Sequence, residues 1–289
     1  MSIRVVLIPL FGSASDALCL RAGLAVAKRF GAHVDGLFVR IDPADAVPAI
    51  GEGVSPAIVM QLTEAAAAEM ARQSDAARKA FDAACKQAGV ALAEAPGTGA
   101  AGSVRWIEVM GRRDELIPQR ARVSDLTVLA RAHDQAPPEL GAVVEATLFG
   151  AGRPLLIVPP TGADQLGGTI AIAWNGGTEA ARAVGWALPF LESAGAVHCL
   201  TAPTRRTGAE AAADLVDYLG WHGLACVRHG VAAQDDESVG AALLRVASEI
   251  GTDLLVMGGY GRTRLSELVL GGVTRHVLAA AELPVLICH

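Results

Sequence analysis

A glycine-rich stretch near the carboxyl end carries the residues best suited to chemistry. Gly258-Gly259-Tyr260-Gly261-Arg262-Thr263-Arg264 follows an apolar run, and nine residues separate Gly261 from Gly271-Gly272-Val273-Thr274, which opens a helical stretch. Glycines at such points let the backbone bend and approach an anion closely. A helix that starts at a Gly pair adds free N–H groups and the positive end of its dipole. Arg262, Arg264 and Arg275 lie in the segment against one acid, Glu267. The chemistry this pattern suits is phosphate binding. Turn punctuation with solvated arginines is the competing reading of the same residues. The spacing matches neither GxxxxGK[ST] nor a GxGxxG after a first strand, so a P-loop NTPase and a redox dinucleotide enzyme lose ground.

Other reactive residue types are scattered. His133-Asp134 is an isolated loop pair, His276 follows Arg275, and Asp235-Asp236-Glu237 reads as the acidic start of a helix over about 235–250. No Ser/His/Asp set stands at a recognisable spacing. The five cysteines, Cys19, Cys85, Cys199, Cys226 and Cys288, form no CxxC or Cys/His cluster; they read as reduced, buried thiols of a cytosolic protein.

The elements that must position the glycine loop follow from periodicity. Short Val/Ile/Leu runs alternate with Ala-rich helical stretches, the pattern of parallel β-α-β units with both sheet faces covered. Strands are expected at Arg4–Pro9, His33–Val39, Val104–Val109, Leu126–Ala130 and Leu155–Val158, with helices at about 14–30, 57–88, 112–122 and 140–151. A second set of strands falls near Thr169–Trp174, Ala196–Leu200, Ala225–His229, Leu254–Gly258 and Val285–Cys288, with helices near 178–192, 207–222, 235–250 and 272–281. Ser124-Asp125-Leu126-Thr127-Val128-Leu129-Ala130 repeats as Thr252-Asp253-Leu254-Leu255-Val256-Met257-Gly258. The first copy carries an insertion around 42–75. The reading is an α/β fold of two tandem open, mainly parallel five-stranded sheets flanked by helices, with domains at 1–160 and 166–289 joined by the Pro159-Pro160-Thr161-Gly162 segment. Ligands of such sheets bind beyond the carboxyl ends of the strands. Thr178 reads as the cap of the helix that follows Trp174-Asn175-Gly176-Gly177.

The chain has 289 residues, 52% of them hydrophobic, and a net charge of −6. That is ample core for two domains and excludes intrinsic disorder. The acidic balance and the 4% of aromatics argue against a general nucleic-acid binder. The longest stretch free of Asp, Glu, Lys and Arg is 14 residues, 165–178, too short and too glycine-rich for a membrane span. The amino-terminal residues read as a first strand rather than a signal peptide.

The run Asp253-Leu254-Leu255-Val256-Met257-Gly258, then Gly261, then Gly271-Gly272, resembles the ATP-binding motif of the universal stress protein family. The tandem repeat is similar to that of its two-domain members. The family motif is G-x2-G-x9-G-[S/T]; Gly258, Gly261 and Gly271 match, and Gly272 stands where the family has Ser or Thr. The backbone N–H is kept, while a hydroxyl contact worth about 1 kcal/mol is lost; Thr274 either replaces it in part or only caps the helix. The resemblance implies a nucleoside contact from Asn175, where the family has Asp. It implies an adenine face at the backbone of Leu200 and Thr201, and Met257, Val273, Arg262 and Arg264 around the phosphates. Trp174 is assigned to packing ahead of stacking. The implied ligand is ATP, with or without Mg²⁺. The first copy has Pro9-Leu10-Phe11-Gly12 and Pro137-Pro138-Glu139 at the matching places, so it reads as degenerate, with donors removed and a carboxylate facing the phosphates. The resemblance further implies that Leu155–Val158 and Val285–Cys288 pair the copies as an internal pseudo-dimer, with a homodimer left open. The implied role is that of a cytoplasmic stress-response protein that binds and signals rather than catalysing efficiently, slow hydrolysis remaining open. The alternative is a nucleotide-free tandem module that recruits a protein partner.

Overall fold

Runs such as Val5–Leu10, Leu126–Ala130 and Val285–Cys288 are too short and too continuously apolar for surface helices, and they become strands buried on both faces. The computed structural model describes residues 2–42, 55–93, 95, 102–163, 165–202, 211–260 and 272–289. In chain order the described elements are β1 (Val5–Leu10), α1 (Ser15–Phe30), β2 (His33–Arg40), α2 (Pro56–Ala88), β3 (Ala91–Leu92), β4 (Ser103–Met110), α3 (Arg113–Ala121), β5 (Leu126–Ala130), α4 (Leu140–Gly150) and β6 (Leu155–Val158). The second half continues with β7 (Thr169–Ala173), α5 (Thr178–Leu191), β8 (Ala196–Thr201), α6 (Ala211–Trp221), β9 (Val227–Gly230), α7 (Val239–Glu249), β10 (Leu254–Gly258), α8 (Gly272–Ala280) and β11 (Val285–Cys288).

Both sets of expected strands are present, and they belong to one sheet. Its order is β3-β4-β2-β1-β5-β6-β11-β10-β7-β8-β9. Every pairing is parallel except the central one, where β6 and β11 run antiparallel with Val285 opposite Ile157 and Ile287 opposite Leu155. This is the pairing expected of Leu155–Val158 and Val285–Cys288. All eight residues of the two strands are buried, so the seam is as much core as the strands it joins. Two-residue β3 extends the first half by an edge strand that its sequence, Ala91-Leu92, was too short to signal.

Further contacts fasten the halves beside the seam. The Arg29 guanidinium at the end of α1 donates to the carbonyls of Leu166 (2.7 Å), Gly167 (3.2 Å) and Ser193 (2.9 Å). The Phe30 and Phe190 rings meet edge to face at 5.0 Å. Asp253 accepts from the backbone N–H groups of Gly167 and Gly168 at 2.8 and 2.9 Å, fixing the entry into β7.

One helix start differs from expectation. Asp235-Asp236-Glu237 precedes α7 instead of beginning it. Asp236 takes a positive φ of 63°, Glu237 pairs with Arg245 at 3.1 Å, and Ser238 is the N-cap, its hydroxyl accepting from Ala241 N–H at 3.1 Å. The helix begins after Ser238 because its hydroxyl accepts an otherwise unpaired N–H of the first turn, while the left-handed Asp236 keeps the acidic run outside the helix.

Candidate functional site

In the second half the strand order reverses between β7 and β10, and this is where an open α/β sheet offers a crevice at the carboxyl ends of its strands. Ala173 lies opposite Met257 on one side and Leu200 on the other. The ends of β7, β8 and β10 therefore meet, and they bring Trp174, Asn175, Leu200, Thr201, Met257 and Gly258 to one rim. Gly272, Val273 and Thr274 form the first turn of α8. Gly261, Arg262, Arg264 and Gly271 lie outside the described residues.

The turn after β7 is built by Asn175. Its Oδ1 accepts the Gly177 N–H at 2.9 Å while Gly176 takes φ +70°, an Asx turn. The oxygen is committed to the turn, so an incoming ribose hydroxyl or adenine edge would meet the exposed amide nitrogen. This turn also corrects the cap: Gly177, in an extended conformation, is the N-cap of α5, with no side-chain cap bond. Thr178 is the first helical residue, and its hydroxyl donates to Glu179 at 2.9 Å. Trp174 is half-buried and packs against the core, and its backbone N–H donates to Leu200 O at 2.9 Å. The Thr201 carbonyl accepts from Val231 N–H at 2.8 Å. Both carbonyls at the end of β8 thus already hold one donor each.

Gly258 owes its identity to close approach. A Cβ there would lie 2.5 Å from the Ala180 amide nitrogen and 2.7 Å from the Glu179 carbonyl carbon. Only glycine lets the first turn of α5 rest on the end of β10. That contact brings the α5 N-terminus, with its unpaired N–H groups, to the rim of the crevice. Two residues on, Tyr260 takes φ +49°. Its N–H donates to the buried Thr274 hydroxyl at 3.4 Å, so Thr274 links the strand end to α8 across the glycine-loop segment.

The first half has the same reversal, between β1 and β5, and there the crevice is filled from within. The inserted segment supplies α2, whose Gln73 backbone covers the turn after β1: a Cβ on Gly12 would lie 2.4 Å from Gln73 O. Arg113, 4% exposed, reaches into the same space. Its Nε donates to Val39 O at 3.1 Å, one Nη to Gln73 at 3.2 Å and the other to Glu139. The guanidinium carbon sits 5.0 Å from the centre of the Phe11 ring and 5.5 Å from that of Phe38. Glu139 is therefore the ion-pair partner of Arg113 rather than a carboxylate aimed at an empty phosphate position. Asp16 accepts from Phe11 N–H at 3.1 Å and Gly12 N–H at 2.8 Å. Burial pushes its carboxyl above the usual range, against the lowering effect of those N–H groups. Asp16, Gln73 and Arg113 were not singled out from sequence. Only Asp16 had a signal there, an acid three residues after Ser13 at a helix start.

Residues 168–289 match the model of the universal stress protein family. A stretch of 45 residues is 38% identical to the universal stress protein MJ0577 of Methanocaldococcus jannaschii, and it spans 16% of this chain and 28% of that relative. The whole fold is similar to that of a universal stress protein from Archaeoglobus fulgidus, with a TM-score of 0.68, 17% identity, and 98% of this chain and 97% of that one covered. It is also similar to a Pseudomonas aeruginosa protein named for the same family, with a TM-score of 0.57 and 16% identity over 99% and 93% of the two chains.

Proposed function

We propose, from the match of residues 168–289 to the universal stress protein family model, that the second half of the chain binds an adenine nucleotide, ATP, at the crevice between β7 and β10. The observation that carries this reading is the contrast between the two crevices. One is filled by Gln73, Arg113 and Asp16 of its own half. The other is rimmed by the Asn175 turn, Gly258 and the N-terminal turns of α5 and α8. Asn175 would hold the nucleoside, and the glycine loop from Gly258 to Gly272 would hold the phosphates through backbone N–H groups, with Arg262 and Arg264 supplying charge. The unit that binds is residues 166–289, and residues 1–160 act as its permanent neighbour.

The role is binding and signalling in a cytoplasmic stress response rather than efficient turnover. A binding site needs donors and a cradle, both of which these residues would supply; fast hydrolysis needs a positioned base or water besides. Isothermal titration of the intact chain with ATP tests the site. Gly261→Val and Gly271→Val should each abolish binding, because a Cβ at either place takes the space or the backbone angles the phosphates need. Unchanged affinity in folded Gly261→Val protein would sink the assignment.

A nucleotide-free module that recruits a protein is the second reading. It draws on exposed apolar side chains: Trp221 on α6 is 92% exposed, and Met60 and Leu62 on α2 are 59% and 44% exposed. Mass spectrometry of small molecules released from the purified protein separates the two readings, since only the first expects an adenine nucleotide.

A further inference from the structure

Beside the seam, α4 and α8 flank a cleft of about 240 Å³ floored by Ile157 of β6. Val144 and Leu148 of α4 and Leu278 of α8 give it apolar walls. Its lining includes Tyr260 and Arg275, which flank the glycine-loop segment, but not Trp174, Asn175, Leu200, Thr201 or Gly258. Its size lies below the usual range of pockets for drug-sized ligands, roughly 300–1,000 Å³, so it suits something smaller than a nucleotide.

The charged groups of the cleft are unequal. Among the described residues, Arg131 and Arg275 stand against a single acid, Glu145. Arg131 follows β5, and one Nη donates to the Ala279 carbonyl at the end of α8, which lays the guanidinium across the cleft from one half to the other. Its Nε is buried and has no hydrogen-bond acceptor among the described residues. The guanidinium is thus partly desolvated and short of acceptors, and a carboxylate in the cleft would neutralise its charge and accept from the N–H groups it presents there in a charge-assisted bond.

We propose that this cleft between α4 and α8 is a binding site for a small apolar monocarboxylate, its carboxylate seated on Arg131 and its hydrocarbon body on Val144, Leu148, Ile157 and Leu278. The positive balance selects an anion, and the apolar walls select a body without further polar groups. This site rests on Arg131 and the cleft walls and does not require nucleotide binding in the second half. The ligand would touch α4 of one half and α8 of the other, so its binding would tighten the contact between them.

The test is isothermal titration of the intact chain with octanoate and with phenylacetate, as chain-like and ring-like probes, and with octylamine as the cationic counterpart. Saturable binding of at least one carboxylate at one site per chain, with no binding of octylamine, is expected. Arg131→Met should weaken the carboxylate at least tenfold, the loss expected of a charge-assisted hydrogen bond. Gly141→Leu provides a second variant that leaves the fold in place. A Cβ at Gly141 would meet nothing nearer than Ala132 Cβ at 4.0 Å, and because Gly141 lines the cleft the longer side chain would take up its space and abolish binding. Absence of saturable carboxylate binding to the wild-type protein would overturn the proposal. So would equal affinity for octylamine, or affinity unchanged in both variants.

Discussion

Gly12 lies so close beneath Gln73 that a Cβ on it would stand 2.4 Å from the Gln73 carbonyl oxygen. The two residues are 61 apart in sequence, and their contact closes the carboxyl-end crevice of the first half with α2. Gly12 also takes φ +73°, which L side chains rarely adopt. Gly12→Ala should therefore cost about 2–4 kcal/mol from backbone strain and steric conflict together. Urea unfolding checks it, and a loss under half a kcal/mol would mean that α2 does not clamp the turn.

Gly258→Ala should be harmful for a related reason in the other half. The new Cβ would press on the Ala180 amide nitrogen and the Glu179 backbone, pushing α5 off β10 at a cost of roughly 1–3 kcal/mol. Because the same contact sets the rim of the crevice, ATP affinity should fall with stability. Thermal melting and titration on one preparation would reveal whether the two move together.

Asn175 allows a graded test. Asp at this position keeps the acceptor for Gly177 N–H and puts a second carboxylate oxygen, an acceptor for a ribose hydroxyl, where the amide nitrogen stood, so Asn175→Asp should preserve or tighten ATP binding. Asn175→Leu removes both the turn bond and the nucleoside contact and should weaken binding by about 1–3 kcal/mol. Identical affinities for the three proteins would place the nucleoside elsewhere.

Stoichiometry follows from the filled crevice. Titration of the intact chain should give no more than one ATP per chain, because admitting a second would require displacing Arg113 from Glu139, Gln73 and Val39. Two equivalent sites would contradict the plug. Testing the intact chain is preferable to testing separated halves, since cutting it would expose the β6 and β11 edges that the seam covers.

His198 and His229 give a pH dependence. Their rings share a hydrogen bond of 2.9 Å on neighbouring strands β8 and β9. Burial, and then the nearby His229, hold His198 below its ordinary value of 6.5. The unfolded chain thus takes up this proton more readily than the folded one. The stability is complete above pH 6.5 and declines as the pH falls below it. Melting temperatures measured between pH 7.5 and 5.5 should drop, and His229→Gln, which removes the like charge, should flatten the slope.

The local part of this architecture was legible in the sequence. Strand runs such as Leu126–Ala130 announce themselves because burial on both faces demands continuous Val, Ile and Leu, and the repeat of Ser124–Ala130 at Thr252–Gly258 exposes the duplicated plan. The rim of the second crevice was readable from Asn175 and Gly258, although Gly258 turns out to serve α5 packing before any ligand. The plug was not readable. It depends on Gln73, Arg113 and Glu139 meeting across 66 residues of chain, and nothing in an Ala-rich helix says which of its faces will cover a distant turn. The cap of α5 falls on Gly177 rather than Thr178 for a smaller reason: the Asx turn of Asn175 shifts the helix start by one residue.

The seam between β6 and β11 has a consequence for how this protein behaves on dilution. Two separate chains joined along such edges would fall apart as their concentration dropped, and each would then display an unpaired strand. Here both strands belong to one chain, so each meets its partner at a fixed effective concentration, on the order of millimolar or above for a short tether. Their association does not depend on how many copies a cell makes. It also frees one half from having to duplicate the chemistry of the other: the first half can seal its own crevice with Arg113 while its counterpart stays permanently at its side.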